Sequence, residues 1–312
     1  MLLEHRSFQD ENDYWRIRSF LRKVFLKNNR TEHSWNVARL DYWRWHVAAN
    51  CGVCPSMEEV VHIWEDRNGN IRAVLNPESM GEAYLQIDPD ARTRELEEEM
   101  LSMAEESLSS INEQGNRRLV LMVRTSDRDR QELLRSRGYS RGTFKASDWR
   151  LHLKEPLSVP KVPDGWTIRH QRPEDIPSRS WASWRAFHPD EEEEGYEGHQ
   201  WYSNLEKIPL YRRDLDMLAI GPDNEVGGFC TIWYDDFTRT GYMEPVGRRP
   251  DVEVRGLMRA LLLEACRRLQ VLGGDLVTVG GSGLSSGTLY TSVFGPSSGT
   301  VESWMMDLSR HS

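Results

Sequence analysis

The segment Tyr242–Leu272 constrains the fold of this chain most, because it combines a strand, a loop rich in arginine, and a helix. A first strand is predicted at Phe229–Tyr234, and a second resumes at Tyr242 after a short turn. The helix is indicated by apolar residues at helical spacing, namely Leu257, Leu261, Ala265, Leu269 and Leu272. The first amides of a helix lack internal partners and carry partial positive charge. The segment therefore predicts an anion site of the kind that holds phosphate.

Two parts of the chain resemble sequence motifs of the GNAT superfamily of N-acetyltransferases. Glu244–Gly247, Pro250 and Arg255–Leu262 are similar to motif A, which binds the pyrophosphate of acetyl-CoA. Leu289–Gly295 resembles the family's Leu-Tyr-x-x-x-Gly-Phe segment with its last two residues transposed. The two matches lie at a family-like separation, and together they are more specific than either alone.

The phosphate loop departs from the family pattern, which reads Gln/Arg-x-x-Gly-x-Gly/Ala. Its first position is Glu253 and its last is Met258, while Gly283 replaces an asparagine ahead of the second motif. An acid beside a pyrophosphate is unfavourable unless it points away, and methionine narrows access to the backbone. These departures bear on cofactor affinity more than on the fold.

The resemblance implies that acetyl-CoA is the cosubstrate and lies between the motif A strand and the next strand. It implies that the pantetheine arm pairs with Val246, Gly247 and Arg248. The pyrophosphate is then expected at the amides of Glu253, Val254, Arg255, Gly256, Leu257, Met258 and Arg259.

The resemblance also suggests two catalytic residues. Glu244 lies on the motif A strand and is the candidate general base; the alternative is a carboxylate that caps or ion-pairs the strand end. Tyr290 matches the tyrosine of the second motif and is the candidate general acid for the leaving thiolate. Its alternative is a core tyrosine with a solvated hydroxyl.

The predicted order of elements occurs twice, so the chain is predicted to contain two domains, at residues 1–155 and 156–312, joined by the Pro-containing segment Lys154–Pro163. The resemblance assigns an α/β (α+β) fold, with two tandem GNAT-like domains of mixed, mostly antiparallel sheet flanked by helices. In the second domain, a helix is predicted at His199–Arg212 and a last strand at Val301–Leu308. The first domain lacks glycine in its loop and carries glutamates at the helix start, so it is interpreted as a degenerate copy that no longer binds CoA.

The charge and composition of the chain limit its partners. A net charge of −9 argues against nucleic acid, which requires a basic face. The chain has no apolar run long enough to span a membrane and no signal-peptide pattern at its start, so a cytoplasmic location is expected. Four cysteines in 312 residues do not indicate a disulfide framework.

Two further patterns have more than one interpretation. Cys51 and Cys54 form a C-x-x-C near His46 and His62, which is compatible with zinc or redox chemistry but favours an unpaired loop motif. No metal is therefore expected. The acidic run Asp190–Glu194 is compatible with a rim that attracts a cationic amine or with a solvated loop.

The sequence therefore predicts an N-acetyltransferase that moves an acetyl group from acetyl-CoA to a primary amine of a small molecule or peptide, as a monomer or homodimer. One alternative is a non-catalytic protein that binds CoA or a metabolite, which Glu253 and Met258 would favour. A second is an interaction scaffold that binds no CoA.

Overall fold

The structure, a computed structural model, describes residues 2–308 and divides into two compact units. The first unit runs to Ala146 and also includes Gly299–Leu308, and the second unit is Ser147–Ser298. Each has its own buried apolar core.

The first unit is a mixed sheet with helices. Its helices are α1 (Glu11–Lys27), α2 (Val37–Tyr42), α3 (Ala49–Cys51), α4 (Met57–Val60), α5 (Arg94–Ser107) and α6 (Arg128–Ser136), with a π-helical segment at Trp43–Ala48. Its strands are β1 (Glu4–Ser7), β2 (His62–Glu65), β3 (Ile71–Asn76), β4 (Glu82–Ile87), β5 (Ser110–Ile111), β6 (Arg117–Arg124) and the first part of β7 (Ser140–His152). Neighbouring strands from β1 to β4 are antiparallel, whereas β4 and β6 are parallel.

The second unit repeats this architecture. Its strands are the last part of β7, then β8 (Thr167–His170), β9 (Asp216–Ile220), β10 (Val226–Asp235), β11 (Thr240–Arg248) and β12 (Leu276–Gly281). Its helices are α7 (Ile176–Phe187), α8 (Tyr202–Leu205), α9 (Leu257–Val271) and α10 (Leu284–Phe294). The sheet order is β7-β12-β11-β10-β9-β8, and the β11–β12 pair is parallel whereas the others are antiparallel. Mixed, mostly antiparallel sheets flanked by helices confirm the predicted fold class.

The two faces of the second sheet are covered by different helices, because side chains alternate along a strand. Cys230 and Ile232 of β10 pack in the core that α9 closes with its apolar stripe. Phe229, which precedes Cys230 and lies on the opposite face, packs with Ala182 of α7. This two-sided burial explains why β10 is an almost continuous apolar run.

The last strand, β13 (Gly299–Leu308), belongs to the first unit, although the sequence places it in a domain of residues 156–312. It pairs antiparallel with β6, from Val301 opposite Arg124 to Leu308 opposite Arg117. Its Trp304 is buried in the core of the first unit. The units also separate between Ala146 and Ser147, within β7, rather than at residue 155. Apolar patterning indicates that a segment forms a strand, but the partner is chosen by the core in which its side chains are buried.

The predicted helix at His199–Arg212 is wrong. Only Tyr202–Leu205 is α-helical, and turns follow it. Pro209 disfavours helical geometry at Ile208, and it offers no amide to a helix. Tyr202 and Leu205 are nevertheless buried, so the segment is held by packing rather than by a long helix.

Candidate functional site

The parallel strands β11 and β12 separate partway along their length. Their pairing ends with Tyr242 opposite Thr278, yet β11 continues to Arg248 and β12 to Gly281. Beyond that point β11 stays paired with β10, and β12 stays paired with β7. The backbone groups on the facing edges of the two strands therefore form no hydrogen bonds with each other beyond this point. This leaves an opening in which an extended ligand could form hydrogen bonds with the strand edges. Val246, Gly247 and Arg248 lie on this free stretch of β11.

The N-terminus of α9 lies one loop beyond β11 and is not capped by any side chain. Gly256 is its N-cap residue, with φ of 83°, and a Cβ built there would meet no atom within 4 Å. Among residues 2–308, the amides of Arg255, Gly256, Met258 and Arg259 donate no hydrogen bond within the protein, and Leu257 donates only to the Val254 carbonyl at 3.3 Å. Unsatisfied amides that face open space at a helix N-terminus form an anion site.

The arginines around this loop differ in how their charge is compensated. Arg249 is held by Asp251, with Nε 3.0 Å from Oδ1. Arg259 donates through Nε to the Ser292 carbonyl at 3.2 Å, which does not neutralise it. Within the described part of the chain, Arg248 and Arg255 have no acidic partner. Three cations therefore remain uncompensated beside the free amides.

The two residues that depart from the family's loop pattern do not block this site. The Met258 side chain points inward, since a Cβ added to Gly228 of β10 would lie 2.7 Å from the Met258 sulfur. Glu253 is exposed on the loop, whereas Val254 and Leu257 pack into the core and anchor the loop on either side. The backbone at the helix start thus stays accessible despite both substitutions.

Glu244 lies on an irregularity of β11 at the opening. The register between β10 and β11 shifts between Cys230–Val246 and Ile232–Met243, so Glu244 and Pro245 form the bulged stretch. The backbone carbonyl of Glu244 accepts a hydrogen bond from Trp233 Nε1 at 2.5 Å. Glu244 itself is half-buried. A bulge of this kind redirects a side chain away from the regular alternation of the strand.

Tyr290 of α10 is buried near Glu244. Its ring packs against Trp149, with centroids 5.3 Å apart, and a Cβ on Gly281 would lie 2.8 Å from its Cε2. Burial first, and then the charge of Glu244, raise the pKa of the Tyr290 hydroxyl above its ordinary value. The described residues offer no hydrogen-bond partner to this hydroxyl. The structure thus brings Glu244 and Tyr290 within electrostatic reach and keeps the phenol protonated at neutral pH.

Sequence reasoning missed the buried polar network beneath this site. Arg179 and Asp216 are fully buried, with Arg179 Nε 3.5 Å from Asp216 Oδ1. Asp216 also accepts hydrogen bonds from Thr231, Tyr202 and Tyr211, and Thr231 stands opposite the bulge that carries Glu244. The members lie far apart in sequence, so no local pattern indicates them.

The structure also explains why position 247 is a glycine, which the sequence alone does not reveal. It lies opposite Phe229, and a Cβ there would be 2.3 Å from the Phe229 ring. The glycine therefore leaves room for the tip of the Phe229 ring against the end of β11.

The corresponding groove of the first unit is filled by its own chain. The parallel pairing of β4 and β6 also stops early, at Ala83 opposite Leu121. There, however, Ser34 Oγ accepts a hydrogen bond from the Ile87 amide at 3.1 Å, and Gln86 Oε1 accepts one from the Trp35 amide at 2.7 Å. The segment at Ser34–Trp35 thus satisfies polar groups that an added ligand would need.

The start of α5 in the first unit is also unsuited to an anion. Thr93 caps it by accepting the Leu96 amide at 3.2 Å. Arg92 pairs with Glu97 and Asp127, and Arg130 pairs with Glu97 at 2.7 Å. One of its first amides and the arginines beside it are therefore already bonded within the protein.

The C-x-x-C motif forms no metal cluster in the structure. Cys51 is exposed and Cys54 half-buried, both as free thiols. Across residues 2–308, no three His, Cys, Asp or Glu side chains come together in a way that could hold a metal ion. In the same range no helix combines the length and the apolar character that crossing a membrane requires.

Known proteins are similar to this chain in structure but not in sequence. No family profile and no curated protein sequence matches it. A GCN5-related N-acetyltransferase from Sphaerobacter thermophilus superposes with a TM-score of 0.68 at 16% identity, covering 98% of this chain and 95% of that one. A tandem GNAT protein from the clavulanic acid biosynthesis pathway gives a TM-score of 0.66 at 14% identity and covers 100% of both chains. The chain has a tandem GNAT fold. A GNAT-family acetyltransferase from Colwellia psychrerythraea also matches, with a TM-score of 0.60 at 10% identity over 97% of this chain and 100% of that one.

The two units of the chain, which share this fold, therefore differ at the same place. In the second unit the strands separate, and the helix start beyond them is uncapped and flanked by arginines. In the first unit the strands separate as well, but the chain itself occupies the gap and caps the helix.

Proposed function

We propose that the second unit binds acetyl-CoA and transfers its acetyl group to an amine. The observation that carries this proposal is the uncapped start of α9, where free amides and uncompensated arginines lie beyond the separated strands β11 and β12. The pyrophosphate would be held by these amides together with Arg248, Arg255 and Arg259. The pantetheine arm would pair with the free edge of β11 at Val246–Arg248.

Glu244 and Tyr290 supply the proton transfers that amide formation needs. The Glu244 carboxylate would accept a proton from the incoming ammonium, directly or through a water molecule. The amine nitrogen then forms a bond to the acyl carbon, the carbon–sulfur bond breaks, and the nitrogen loses a second proton, which restores the Tyr290 hydroxyl after it has protonated the sulfur. The Tyr290 hydroxyl, which is protonated at neutral pH, would donate its proton to the departing sulfur.

The inward packing of Met258 supports this proposal over the alternative of a non-catalytic protein that binds CoA or a metabolite. The filled groove of the first unit leaves one acetyl-CoA per chain as the expected stoichiometry.

Gly256→Glu is expected to weaken acetyl-CoA binding at least about 100-fold, because it places a carboxylate against the pyrophosphate and like charges in contact cost several kcal/mol. Calorimetric titration of acetyl-CoA into the full chain measures this. Wild-type protein should bind one molecule per chain.

A matched control is Gly115→Glu in the first unit. Gly115 has φ of 78° and, like Gly256, open space at its Cβ position, so the charge change and the backbone strain are the same. Its affinity should equal that of the wild type. Equal binding by Gly256→Glu and Gly115→Glu would exclude the α9 loop, and two molecules per chain would show that the first unit binds as well.

Tyr290→Phe is expected to lower kcat about 10²-fold with little change in the KM for acetyl-CoA, because it removes the proton donor and keeps the ring packing on Trp149. Steady-state kinetics with a primary amine tests this, with Tyr234→Phe on β10 of the same unit as the control. Full activity of Tyr290→Phe would eliminate the general-acid role.

A further inference from the structure

The end of α7 and the loop after it present a partly exposed group of aromatic side chains. This aromatic patch consists of Trp181, Trp184, Phe187 and Tyr196. Trp181 and Trp184 stack with centroids 5.4 Å apart, and Tyr196 meets Trp181 edge-on at 5.1 Å. Phe187 is 54% exposed. Aromatic side chains concentrated at one partly open place mark a surface that a ligand can use.

The loop that borders the patch is fastened to α7 by polar contacts. Tyr196 and Trp201 both donate hydrogen bonds to Ser180 Oγ, at 2.8 Å and 2.9 Å. Arg185 donates to the carbonyl of Glu191 at 3.0 Å. The loop is therefore positioned without using any of its carboxylates.

Those carboxylates form an acidic rim around the patch, made of Asp190–Glu194 and Glu197. All are exposed, and within the described part of the chain none of their side chains is in an ion pair or hydrogen bond. Elsewhere in this unit, acids such as Glu264 and Asp175 are paired with arginine. The uncompensated negative charge attracts cations to this surface.

The aromatic patch lies next to the proposed catalytic opening. The Phe187 ring meets Phe229 edge-on, with centroids 6.2 Å apart. Phe229 in turn lies directly against Gly247 of β11, with which the pantetheine arm is proposed to pair. Arg185, on the same turn of α7, lowers the pKa of Asp251 in the phosphate loop, after the larger effect of Arg249. A molecule seated on the patch is thus adjacent to the end of β11.

We propose that the aromatic patch and the acidic rim bind the acceptor and select cationic amines with an aromatic or similarly flat apolar body. This inference rests on the proposed acetyl transfer. The flat body would pack on Phe187 and the exposed edges of the tryptophans, and the ammonium would be attracted by the rim before Glu244 removes its proton. A carboxylate on the acceptor would be repelled by the same rim.

Two matched pairs of amines test the selection. Phenethylamine and ethylamine differ by the ring, and tryptamine and tryptophan differ by a carboxylate. The value of kcat/KM should be at least about tenfold higher for phenethylamine than for ethylamine, and higher for tryptamine than for tryptophan. Equal values within each pair, or a preference for tryptophan, would overturn the proposal.

Two variants assign the selection to these residues. Phe187→Ala should raise the KM for phenethylamine about tenfold and leave that for ethylamine unchanged. The triple variant Glu192→Gln, Glu193→Gln, Glu194→Gln should raise the KM for phenethylamine several-fold and remove its dependence on NaCl concentration. The triple variant Glu106→Gln, Glu113→Gln, Asp129→Asn makes the same charge change on exposed residues of the first unit and should behave as the wild type. If the two triple variants behave alike, the rim has no specific role.

Calorimetry separates failure of this inference from failure of the proposed function. Acetyl-CoA binding without turnover of any amine would overturn acetyl transfer. In that case, phenethylamine titrated into the CoA-bound protein still decides the inference: weaker binding by Phe187→Ala than by wild-type protein supports it, and equal or absent binding overturns it.

Discussion

Replacing Glu244 by glutamine is expected to lower kcat by about 10²–10⁴-fold at neutral pH, the range typical of a lost general base. Glutamine preserves the size of the side chain, and the carbonyl that accepts the Trp233 hydrogen bond is unchanged. The deficit should shrink as the pH rises toward the pKa of the amine, because the acceptor then arrives without its extra proton. Kinetics across pH with a fixed primary amine measures both the size of the loss and its trend.

Glu253→Gln is the control for Glu244→Gln, since it makes the same chemical change on an exposed loop residue outside the strand opening. It should retain wild-type kcat. Acetyl-CoA affinity, measured by calorimetry, should be unchanged in Glu244→Gln. If Glu244→Gln keeps full turnover at every pH, the carboxylate is not the base, and its role is limited to the strand bulge.

Replacing Asp216 by alanine is expected to lower the free energy of unfolding of the second unit by about 3–5 kcal/mol, the usual cost of leaving a buried charge without its partner. Asp216 receives hydrogen bonds from three hydroxyl groups and faces Arg179, whose Nη1 already has no hydrogen-bond partner among the described residues. Without the carboxylate, the guanidinium would retain a 3.5 Å hydrogen bond to Thr231 Oγ1 and its contact with Phe229, 3.8 Å from Cζ to the ring centroid.

Asp214→Ala provides the matched control two residues away. Asp214 pairs with Arg212 on the surface, where both side chains are exposed, and such pairs contribute at most about 1 kcal/mol. Urea unfolding followed by far-UV circular dichroism, supported by calorimetric scans, compares the two variants. Equal midpoints for Asp214→Ala and Asp216→Ala would show that the buried network does not stabilise the unit.

The network has a second consequence for the proposed site. Thr231 connects it to the strand position opposite the Glu244 bulge, and Arg179 lies over Phe229, which supports both Gly247 and the aromatic patch. Losing Asp216 is therefore expected to disturb the site as well as the stability. The Glu244→Gln variant, in contrast, should change turnover without changing the unfolding midpoint.

Several parts of the site could be predicted from local sequence. The β10–β11 hairpin, the loop and α9 follow from alternation, glycine placement and helical spacing, all of which act over a few residues. The positive φ of Gly256 agrees with its place at the helix start. That the first unit no longer binds CoA remains a prediction, made from the absence of glycine and the excess of acid in its loop.

Other parts depended on side chains that meet only after folding. The inward direction of Met258 is set by the space above Gly228, thirty residues earlier in the chain. Ser34 and Trp35 fill the groove of the first unit by hydrogen bonding to Ile87 and Gln86, which lie about fifty residues further along the chain. Such contacts leave no periodic signal, because each depends on two distant positions at once.

The sequence by itself therefore determined most of the elements and their order, the glycine at the start of α9 and the resemblance to GNAT proteins, because these arise from backbone preferences and short motifs. The tertiary structure alone decided that β13 completes the first unit, since Trp304 is buried in that core. It also decided that Glu244 lies within electrostatic reach of Tyr290, that Arg179 and Asp216 are buried together, and that an aromatic patch adjoins the end of β11. In each case the physical reason is the same: burial and hydrogen bonding choose partners by their position in space, and local patterns along the chain do not specify that position.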